Sequence, residues 1–156
     1  EHGLGAERRF AYEEGIRTAF FARYPKLIKP GTLIKPMVLA IDIAPTLIDL
    51  GGGKPGPQIQ GRSLLPLFAG KRAGWRKSFL IEYWAENAYP WLIGMSYKAV
   101  RERRYKFIHW INRGRRGELD ELYDLDKDPY ELTNLIADSH APRDQMMMRL
   151  ARLAAN

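Results

Sequence analysis

Four aspartates near the end of the chain are the residues best suited by type to bind a metal. Asp120, Asp124, Asp126 and Asp128 follow one another at intervals of four and two residues, as the ligands of a calcium loop do. An EF-hand loop also needs Gly at its sixth position and Glu at its twelfth, and the run that starts at Asp124 has neither. We therefore expect structural roles, with the first two aspartates on a strand face and the other two in a turn.

The histidines do not form a metal-binding pattern either. His109 falls on the same predicted strand face as Phe107 and Ile111, which favours a packed or hydrogen-bonded side chain. His140 lies in a predicted loop, and neither of these histidines has a second His or a Cys at the spacing that a zinc site needs. Because the chain contains no Cys, thiol catalysis and disulfide bonds are excluded for it.

The segment from Trp84 to Met95 is a long predicted loop with two Trp and one Tyr. Aromatic faces stack on sugar or aryl rings, so Tyr89 and Trp91 are candidates for contact with a ligand. The alternative is that these rings pack on the rest of the chain. Glu82, just before the loop, is a lone acid on an otherwise apolar strand face.

Charge and composition restrict the classes of partner. The net charge is +7, with basic clusters at positions 101–106 and 113–116, which favours an anionic partner or else a solvated basic face. No apolar run approaches the ~20 residues of a membrane span. The Gly-rich run at 51–57 lacks the Gly-Lys-Ser/Thr ending of a phosphate-binding loop, so we assign it no nucleotide.

Residues 1–72 read as a short α/β stub. The aromatic run Thr18–Tyr24 predicts a strand that stops at Pro25. Asp42 is placed to cap a helix with its side chain, and Gly51 to end that helix. Ser63 is placed to cap a second short helix, closed by Gly70.

Residues 73–156 read as an antiparallel sheet with a terminal helix. The apolar period changes to two over four segments, which predicts strands at 77–84, 97–102, 105–111 and 119–125. Short connections between them indicate antiparallel pairing. Met146, Leu150 and Leu153 then recur at helical spacing within a helix over 142–155. The predicted fold class is an α/β stub followed by α+β, with about four antiparallel strands covered by the C-terminal helix.

In this order, several phrases resemble the C-terminal third of sulfatases of the alkaline-phosphatase superfamily. They are Glu-His-Gly-Leu (1–4), Tyr-Glu-Glu (12–14), Ala-Pro-Thr-Leu (44–47), Gln-Gly-Arg-Ser-Leu (60–64), Arg-Arg-Tyr-Lys-Phe-Ile (103–108) and Glu-Leu-Tyr-Asp-Leu (121–125). The resemblance covers the chain from Glu1 to about Ile136. It implies the C-terminal subdomain of the sulfatase fold.

The resemblance also implies an activity. Sulfatases hydrolyse sulfate esters with a formylglycine nucleophile, made from a Cys or Ser in a Cys/Ser-x-Pro-x-Arg motif, and with a calcium ion held by hard oxygen ligands. This chain has neither Cys nor a Ser-x-Pro-x-Arg motif, and it starts after the family's Asp-Asn-Gly or Asp-His-Gly metal motif. We therefore expect the C-terminal piece of a sulfatase, with nucleophile and Ca²⁺ ligands elsewhere, and inactive alone.

Four residues of this chain are candidates for the site that the resemblance implies. The family places a sulfate-contacting Lys four residues before the Tyr of Tyr-Glu-Glu, and here that position is Arg8. His2 stands in the phrase next to the expected metal site. Since the C-terminal subdomain borders the substrate cleft in sulfatases, Tyr89 and Trp91 are candidates to select the substrate.

Other functions stay open at this point. A phosphonate or phosphodiester hydrolase of the same superfamily shares the fold and metal chemistry. A basic module that binds RNA or an acidic glycan is a further alternative, with Tyr105, Phe107 and Trp110 as stacking candidates.

Under the sulfatase hypothesis the partners are a sulfate-ester small molecule or sulfated glycan and the N-terminal catalytic domain, with neither nucleic acid nor membrane. That hypothesis also suggests a periplasmic or secreted location. If the chain is a structural piece of an enzyme, we expect an apolar surface around Phe20, Phe21 and Ala44.

Overall fold

The computed structural model describes residues 9–85, 90, 93, 95–111 and 119–155. Contacts divide the chain into two compact units, Glu1–Ala19 with Ser78–Asn156, and Phe20–Lys77. The regular elements, in chain order, are α1 (Glu13–Ile16), a 3-10 turn (Ala40–Asp42), α2 (Ile43–Leu50), α3 (Leu65–Phe68), β1 (Ser78–Tyr83), β2 (Ser96–Glu102), β3 (Tyr105–Ile111), β4 (Glu121–Asp124) and α4 (Arg143–Ala154). None of the helices in these described ranges has the length and apolar character to cross a membrane. The boundary that we place after residue 72 remains a prediction.

The first unit is built on the antiparallel sheet that the sequence predicts. Its four strands lie in the order β1-β2-β3-β4, and each pairs antiparallel with the next along the chain. The register pairs Leu80 with Val100, Val100 with Phe107, and Phe107 with Leu122. Each strand bound agrees with its predicted span to within three residues, because the period-two pattern runs along the strands themselves.

Helix α4 covers one face of this sheet. Met146 and Leu150 of the helix pack on Val100, Phe107 and Leu122, and all five side chains are buried. Leu153 lies at the margin of the same cluster. The helical spacing of these residues therefore predicts the core correctly, and Met146 fills it, whereas Met147 and Met148 are 45% and 68% exposed.

The opposite face of the sheet is covered by the N-terminal segment, which the sequence did not predict. Ala11 is 2% exposed and packs with Tyr97, Ile108, Trp110 and Tyr123. Helix α1 follows directly, with Gly15 buried. We assigned these residues to the stub of residues 1–72, whereas Ala11 packs in a core of the sheet.

The second unit, Phe20–Lys77, contains the predicted helices but not the predicted strand. Residues 17–24 form no strand, and Phe20 and Phe21 are 49% and 92% exposed. A strand needs a hydrogen-bonded neighbour, and the described residues supply none there. Ala44 is also exposed, in agreement with the apolar surface that we expected around these residues.

The capping role predicted for Asp42 is wrong. Its side chain makes no hydrogen bond to the first turn of α2, although its backbone lies at the start of that helix. Instead the carboxylate accepts Nη1 and Nη2 of Arg76 and the backbone N–H of Arg62. It also accepts the N–H of Leu39 at 2.9 Å. Asp42 is fully buried, so the carboxylate joins distant parts of this unit rather than capping its own helix.

The C-terminal ends of α2 and α3 follow the predicted chemistry, whereas the N-cap of α3 is Leu64 rather than the predicted Ser63. Gly51 closes α2, and its N–H donates to Leu47 at 3.0 Å. Ser63 Oγ accepts the N–H of Leu65 at the start of α3 and donates to Asp49 at 2.6 Å. Gly70, just after α3, has a φ of 78°. This is the left-handed conformation that favours glycine.

Candidate functional site

The four predicted site residues, Arg8, His2, Tyr89 and Trp91, lie outside the residues that the structure describes. Some residues next to them in sequence are described. Arg9 follows Arg8, and Ala85 and Met95 lie at the two ends of the predicted loop of residues 84–95, which we call the aromatic loop. The surroundings of these three residues show where the segment after Arg8 and the two ends of the aromatic loop attach to the sheet.

Residues 9–16, which we call the anchored segment, are tied to the sheet through successive residues. Tyr97 Oη donates to the carbonyl of Arg9 at 2.8 Å. Lys106 Nζ donates to the carbonyl of Ala11 at 2.7 Å, and Tyr12 Oη donates to Glu121 at 2.9 Å. The main chain directly after Arg8 is therefore fixed on the sheet by side chains of β2, β3 and β4.

Lys106 is the centre of a buried ionic network beneath this segment. Its side chain is 0% exposed, and Nζ lies 2.8 Å from a carboxylate oxygen of Glu13 and 2.8 Å from one of Glu131. The second oxygen of Glu131 accepts the backbone N–H of Glu13 at 2.6 Å. A buried ammonium is tolerated only with such partners, because its desolvation is costly.

The two carboxylates of this network respond differently to their surroundings. Burial raises the pKa of Glu131, and the nearby Lys106 offsets this only in part. Burial also acts to raise the pKa of Glu13, but hydrogen bonds from Arg101 and Lys106 outweigh it and leave that pKa lowered. Glu131 adopts a φ of 56°. This conformation is uncommon for a residue other than glycine, and the contacts of the Glu131 carboxylate help to hold it.

A second polar cluster lies on the same sheet face, around Glu121. Its carboxylate accepts Tyr12 Oη, Tyr123 Oη at 2.6 Å and Trp110 Nε1 at 2.7 Å. Burial, together with this carboxylate, raises the pKa of both Tyr12 and Tyr123. The two phenols are therefore held as neutral donors, which is a structural arrangement rather than an acid or base poised for catalysis.

A row of aromatic rings connects the anchored segment to the base of the aromatic loop. Tyr83 stacks on Tyr97 with ring centroids 5.7 Å apart, Tyr97 meets the edge of Trp110, and Trp110 meets Phe10. The N–H of Ala85 donates to Ser96 Oγ at 2.9 Å, closing the base of the loop. Tyr97 thus contacts both the segment that follows Arg8 and the strand end from which the aromatic loop leaves.

The acidic and histidine candidates have the structural roles that we expected. Asp124 binds Arg104 through both carboxylate oxygens, at 2.9 and 2.6 Å, and this hydrogen bonding lowers the pKa of Asp124. His109 Nδ1 lies 2.9 Å from Asp120. Within the described part of the chain no group of three His, Cys, Asp or Glu side chains could hold a metal ion, so these residues do not fit the implied Ca²⁺.

The aromatic residues proposed to stack on RNA bases are mostly unavailable. Phe107 and Trp110 are 1% and 9% exposed, and they lie on opposite faces of the sheet in its two cores. Only Tyr105 of the three is partly accessible, and the guanidinium of Arg104 covers its ring at 4.8 Å. This removes the main support for an RNA-binding sheet.

Sequence reasoning missed the roles of Tyr12, Glu13 and Lys106, although one signal for them was present. Lys106 alternates with Ile108 and Trp110 on an inward strand face, and a cation there requires buried acidic partners. The sequence alone does not say which of the 18 acidic residues these are.

Comparison with known proteins agrees with this architecture. The family model described as N-sulphoglucosamine sulphohydrolase, C-terminal, matches residues 1–156. The N-acetylglucosamine-6-O-sulfatase of Bacteroides thetaiotaomicron is 34% identical over 159 aligned residues, which cover 96% of this chain and 26% of that protein.

Two of the solved structures that resemble this chain bear on its function. One, of a protein in complex with its substrate D-glucosamine-2-N,6-O-disulfate, matches with a TM-score of 0.75 and 29% identity over 85% of this chain and 27% of that one. The other, the phosphonate monoester hydrolase of Agrobacterium radiobacter, matches with a TM-score of 0.64 and 30% identity over 78% of this chain and 26% of that one. The chain thus spans about a quarter of the length of the relatives it matches.

Proposed function

This chain belongs to the N-sulphoglucosamine sulphohydrolase C-terminal family of sulfatase domains, and on that premise we propose that it is the C-terminal region of an enzyme that hydrolyses sulfate esters. In this proposal the chain provides a rigid sheet at the edge of the active site. The nucleophile belongs to the part of the enzyme outside this chain. Support comes from the family match together with the short share of its relatives that the chain spans.

The observation that carries the proposal is the bond between Tyr97 and the carbonyl of Arg9, at 2.8 Å. It ties the main chain next to Arg8 to the strand that follows the aromatic loop. A catalytic side chain is effective when its backbone is held still by packing and hydrogen bonds around it. The anchored segment gives the main chain that follows Arg8 such a support.

Arg8 acts in this proposal as a clamp on the sulfate group. A guanidinium presents two parallel N–H groups to two oxygens of an oxyanion, and its charge stabilises the charge that develops during transfer. Because arginine stays protonated at all working pH values, Arg8 holds the sulfate but does not supply a proton to the leaving oxygen. That proton comes from another group of the enzyme.

The remaining predicted contacts are assigned to the substrate. Tyr89 and Trp91 are assigned to contact with the aryl or sugar part of the ester, because aromatic rings stack on apolar ring faces. His2 contacts the substrate near the reacting end. The substrate class is a sulfate ester, either a small molecule or a sulfated glycan.

The formylglycine nucleophile and the divalent metal of the parent enzyme are also part of the proposal. Calcium would lend positive charge to the sulfate oxygens, and neither the metal ligands nor the nucleophile is assigned to a residue of this chain. The chain alone is therefore expected to be inactive. A periplasmic or secreted location for the parent enzyme is part of the same proposal.

The proposal is tested with the full-length protein and an aryl sulfate. Arg8→Ala removes the sulfate clamp, so kcat/KM should fall by about 100-fold or more, while Arg8→Lys should retain part of the activity. Arg17→Ala, which removes an exposed arginine just after the anchored segment, is the matched control and should leave the rate unchanged. Equal rates for the Arg8→Ala and Arg17→Ala variants would remove Arg8 from the site.

A phosphonate monoester hydrolase is the second candidate, favoured by the structural match to the Agrobacterium radiobacter enzyme. The two activities share the need for an oxyanion clamp, so the residues discussed above serve either of them. Side-by-side kcat/KM values for an aryl sulfate and an aryl phosphonate decide between them. A preference for the phosphonate by more than about tenfold would replace the sulfatase assignment.

A further inference from the structure

One row of residues crosses the sheet beyond the part of it that α4 covers. Side chains two residues apart on a strand share a face. The row next to the buried Val100–Phe107 pair therefore consists of Glu82, Lys98 and His109, which are cross-strand neighbours in the register. Their side chains keep between about a quarter and a third of their surface exposed, at 36%, 26% and 30%.

Ion pairs within this row hold its polar atoms in place. Lys98 Nζ lies 2.8 Å from Glu82, and His109 Nδ1 lies 2.9 Å from Asp120. Each pair leaves bonding capacity for a ligand. Lys98 has further N–H groups, Glu82 has a second oxygen, and Nε2 of His109 has no hydrogen bond to another residue that the structure describes.

An exposed tryptophan borders the row. Trp84 is 59% exposed, and Lys98 Nζ lies 5.5 Å from its ring centroid. This cation–π contact fixes the ammonium beside the indole. The chain beyond Trp84 is held by the bond from Ala85 to Ser96. The result is a flat apolar ring next to a set of fixed donors and acceptors.

The charges of the row select the class of ligand. The carboxylates of Glu82 and Asp120 lie beside Lys98 and His109, so the row offers hydrogen-bond acceptors as well as donors. A sugar fits both features, because its apolar ring face stacks on an indole while its hydroxyls donate to carboxylates. An anionic substituent of that sugar would bind the Lys98 ammonium.

We infer that Trp84, Lys98 and His109, with Glu82 and Asp120, form a subsite for a sulfated sugar ring of a glycan. This inference deepens the proposed function and rests on it for the sulfated class of ligand. The subsite is made only of described residues and does not include Arg8, Tyr89 or Trp91. It assigns to the glycan a further contact on the sheet.

The test is a binding measurement by titration calorimetry on the full-length protein, with a heparin-derived tetrasaccharide and its desulfated form. The wild type should bind the sulfated form at least tenfold more tightly. Trp84→Ala should raise its Kd about tenfold, the loss expected for one stacked ring. Lys98→Gln should reduce the difference in Kd between the sulfated and the desulfated tetrasaccharide. Tyr130→Ala, which removes an aromatic ring of similar exposure, 61%, is the matched control and should not change Kd.

Three results would overturn the inference. They are an absence of binding by the wild type, equal Kd values for the Trp84→Ala and Tyr130→Ala variants, and equal affinity of the wild type for the sulfated and desulfated forms. Hydrolysis of an aryl sulfate by the same preparation reports on the proposed function separately. A protein that hydrolyses the aryl sulfate but does not bind the tetrasaccharide retains the proposed function and loses the subsite.

Discussion

Replacing Lys106 by methionine tests the buried network under the anchored segment. Met keeps the length and apolar character of the side chain but removes the ammonium that lies 2.8 Å from both Glu13 and Glu131. Glu13 retains its pairing with Arg101, whereas Glu131, 1% exposed at its side chain, loses its ion pair with Lys106. Removing one partner of a buried ion pair costs about 3–5 kcal/mol.

That loss corresponds to roughly 6–20 °C in the melting temperature of a protein of this size. We expect the loss of about 3–5 kcal/mol to appear as a lower free energy of unfolding in urea, monitored by circular dichroism. Lys127→Met, which changes an exposed lysine of the same unit, should alter the free energy of unfolding by no more than about 0.5 kcal/mol. The double variant Lys106→Met/Glu131→Gln should recover part of the loss, because it removes the buried negative charge of Glu131 along with the ammonium that balances it.

The pH dependence of this cost has a definite sign. Burial raises the pKa of Glu131 above its usual value of 4.5, so the folded state binds more protons than the unfolded state in the window above pH 4.5. Without Lys106 this effect grows, and the variant should lose stability as the pH rises through that window. Two results would refute the reasoning. One is a free energy of unfolding for Lys106→Met within about 1 kcal/mol of the wild-type value. The other is a difference in that free energy between variant and wild type that is the same at pH 7 as at pH 4.5.

Three further predictions concern other parts of the chain. Asp42→Asn should abolish the part of the stability loss on acidification that comes from Asp42. Burial acts to raise the pKa of Asp42, but hydrogen bonds from Arg76 and from backbone donors outweigh it and leave that pKa lowered. The stabilisation by Asp42 is therefore present above pH 3.8 and is lost as the pH falls through the lowered pKa, which acid titration of unfolding measures. Gly61→Ala should cost at least about 1–3 kcal/mol in thermal unfolding, because the added Cβ would overlap the carbonyl oxygen of Ile41. Gly52→Ala, its control, meets no atom within 4 Å and is limited to the strain of its positive φ. Tyr12→Phe should cost about 1.5–3 kcal/mol in urea unfolding by losing its bond to the Glu121 carboxylate, with Tyr130→Phe, an exposed tyrosine, as the unaffected control.

The sheet and its covering helix could be predicted because their signals are local and repeated. Alternation along β1 to β4 and the spacing of Met146, Leu150 and Leu153 repeat over several residues, so each element reports its own buried face. The place of Asp124 on a strand and a packed or hydrogen-bonded His109 were predicted for the same reason, whereas their partners, Arg104 and Asp120, were not.

Features that depend on distant partners could not be predicted in this way. Asp42 satisfies the local rule for a helix cap, but Arg76, 34 residues later, binds its carboxylate instead. The aromatic run at 18–24 has strand composition, yet pairing decides whether a strand forms. Ala11 and Tyr12 have no periodic pattern, and their burial arises from Lys106, Tyr97 and Glu121, far along the chain.

The candidate site is predictable only as far as the motifs that carry it. Arg8 rests on its position four residues before Tyr12, and that position stays a prediction. The structure adds the support around it, in the bonds of Arg9, Ala11 and Tyr12 to the sheet. Composition gave no indication of these bonds, because each joins residues that are 88 or more positions apart.

The most direct test of the sulfatase assignment is the DNA sequence immediately upstream of the Glu1 codon, read in frame for about 1 kb, the order of length that the unmatched part of the relatives requires. We predict a Cys/Ser-x-Pro-x-Arg motif near the start of that reading frame and Asp-Asn-Gly or Asp-His-Gly just before Glu1. A stop codon followed by a start site close to Glu1 would contradict the account, because the nucleophile and metal ligands would then have no place in the same protein.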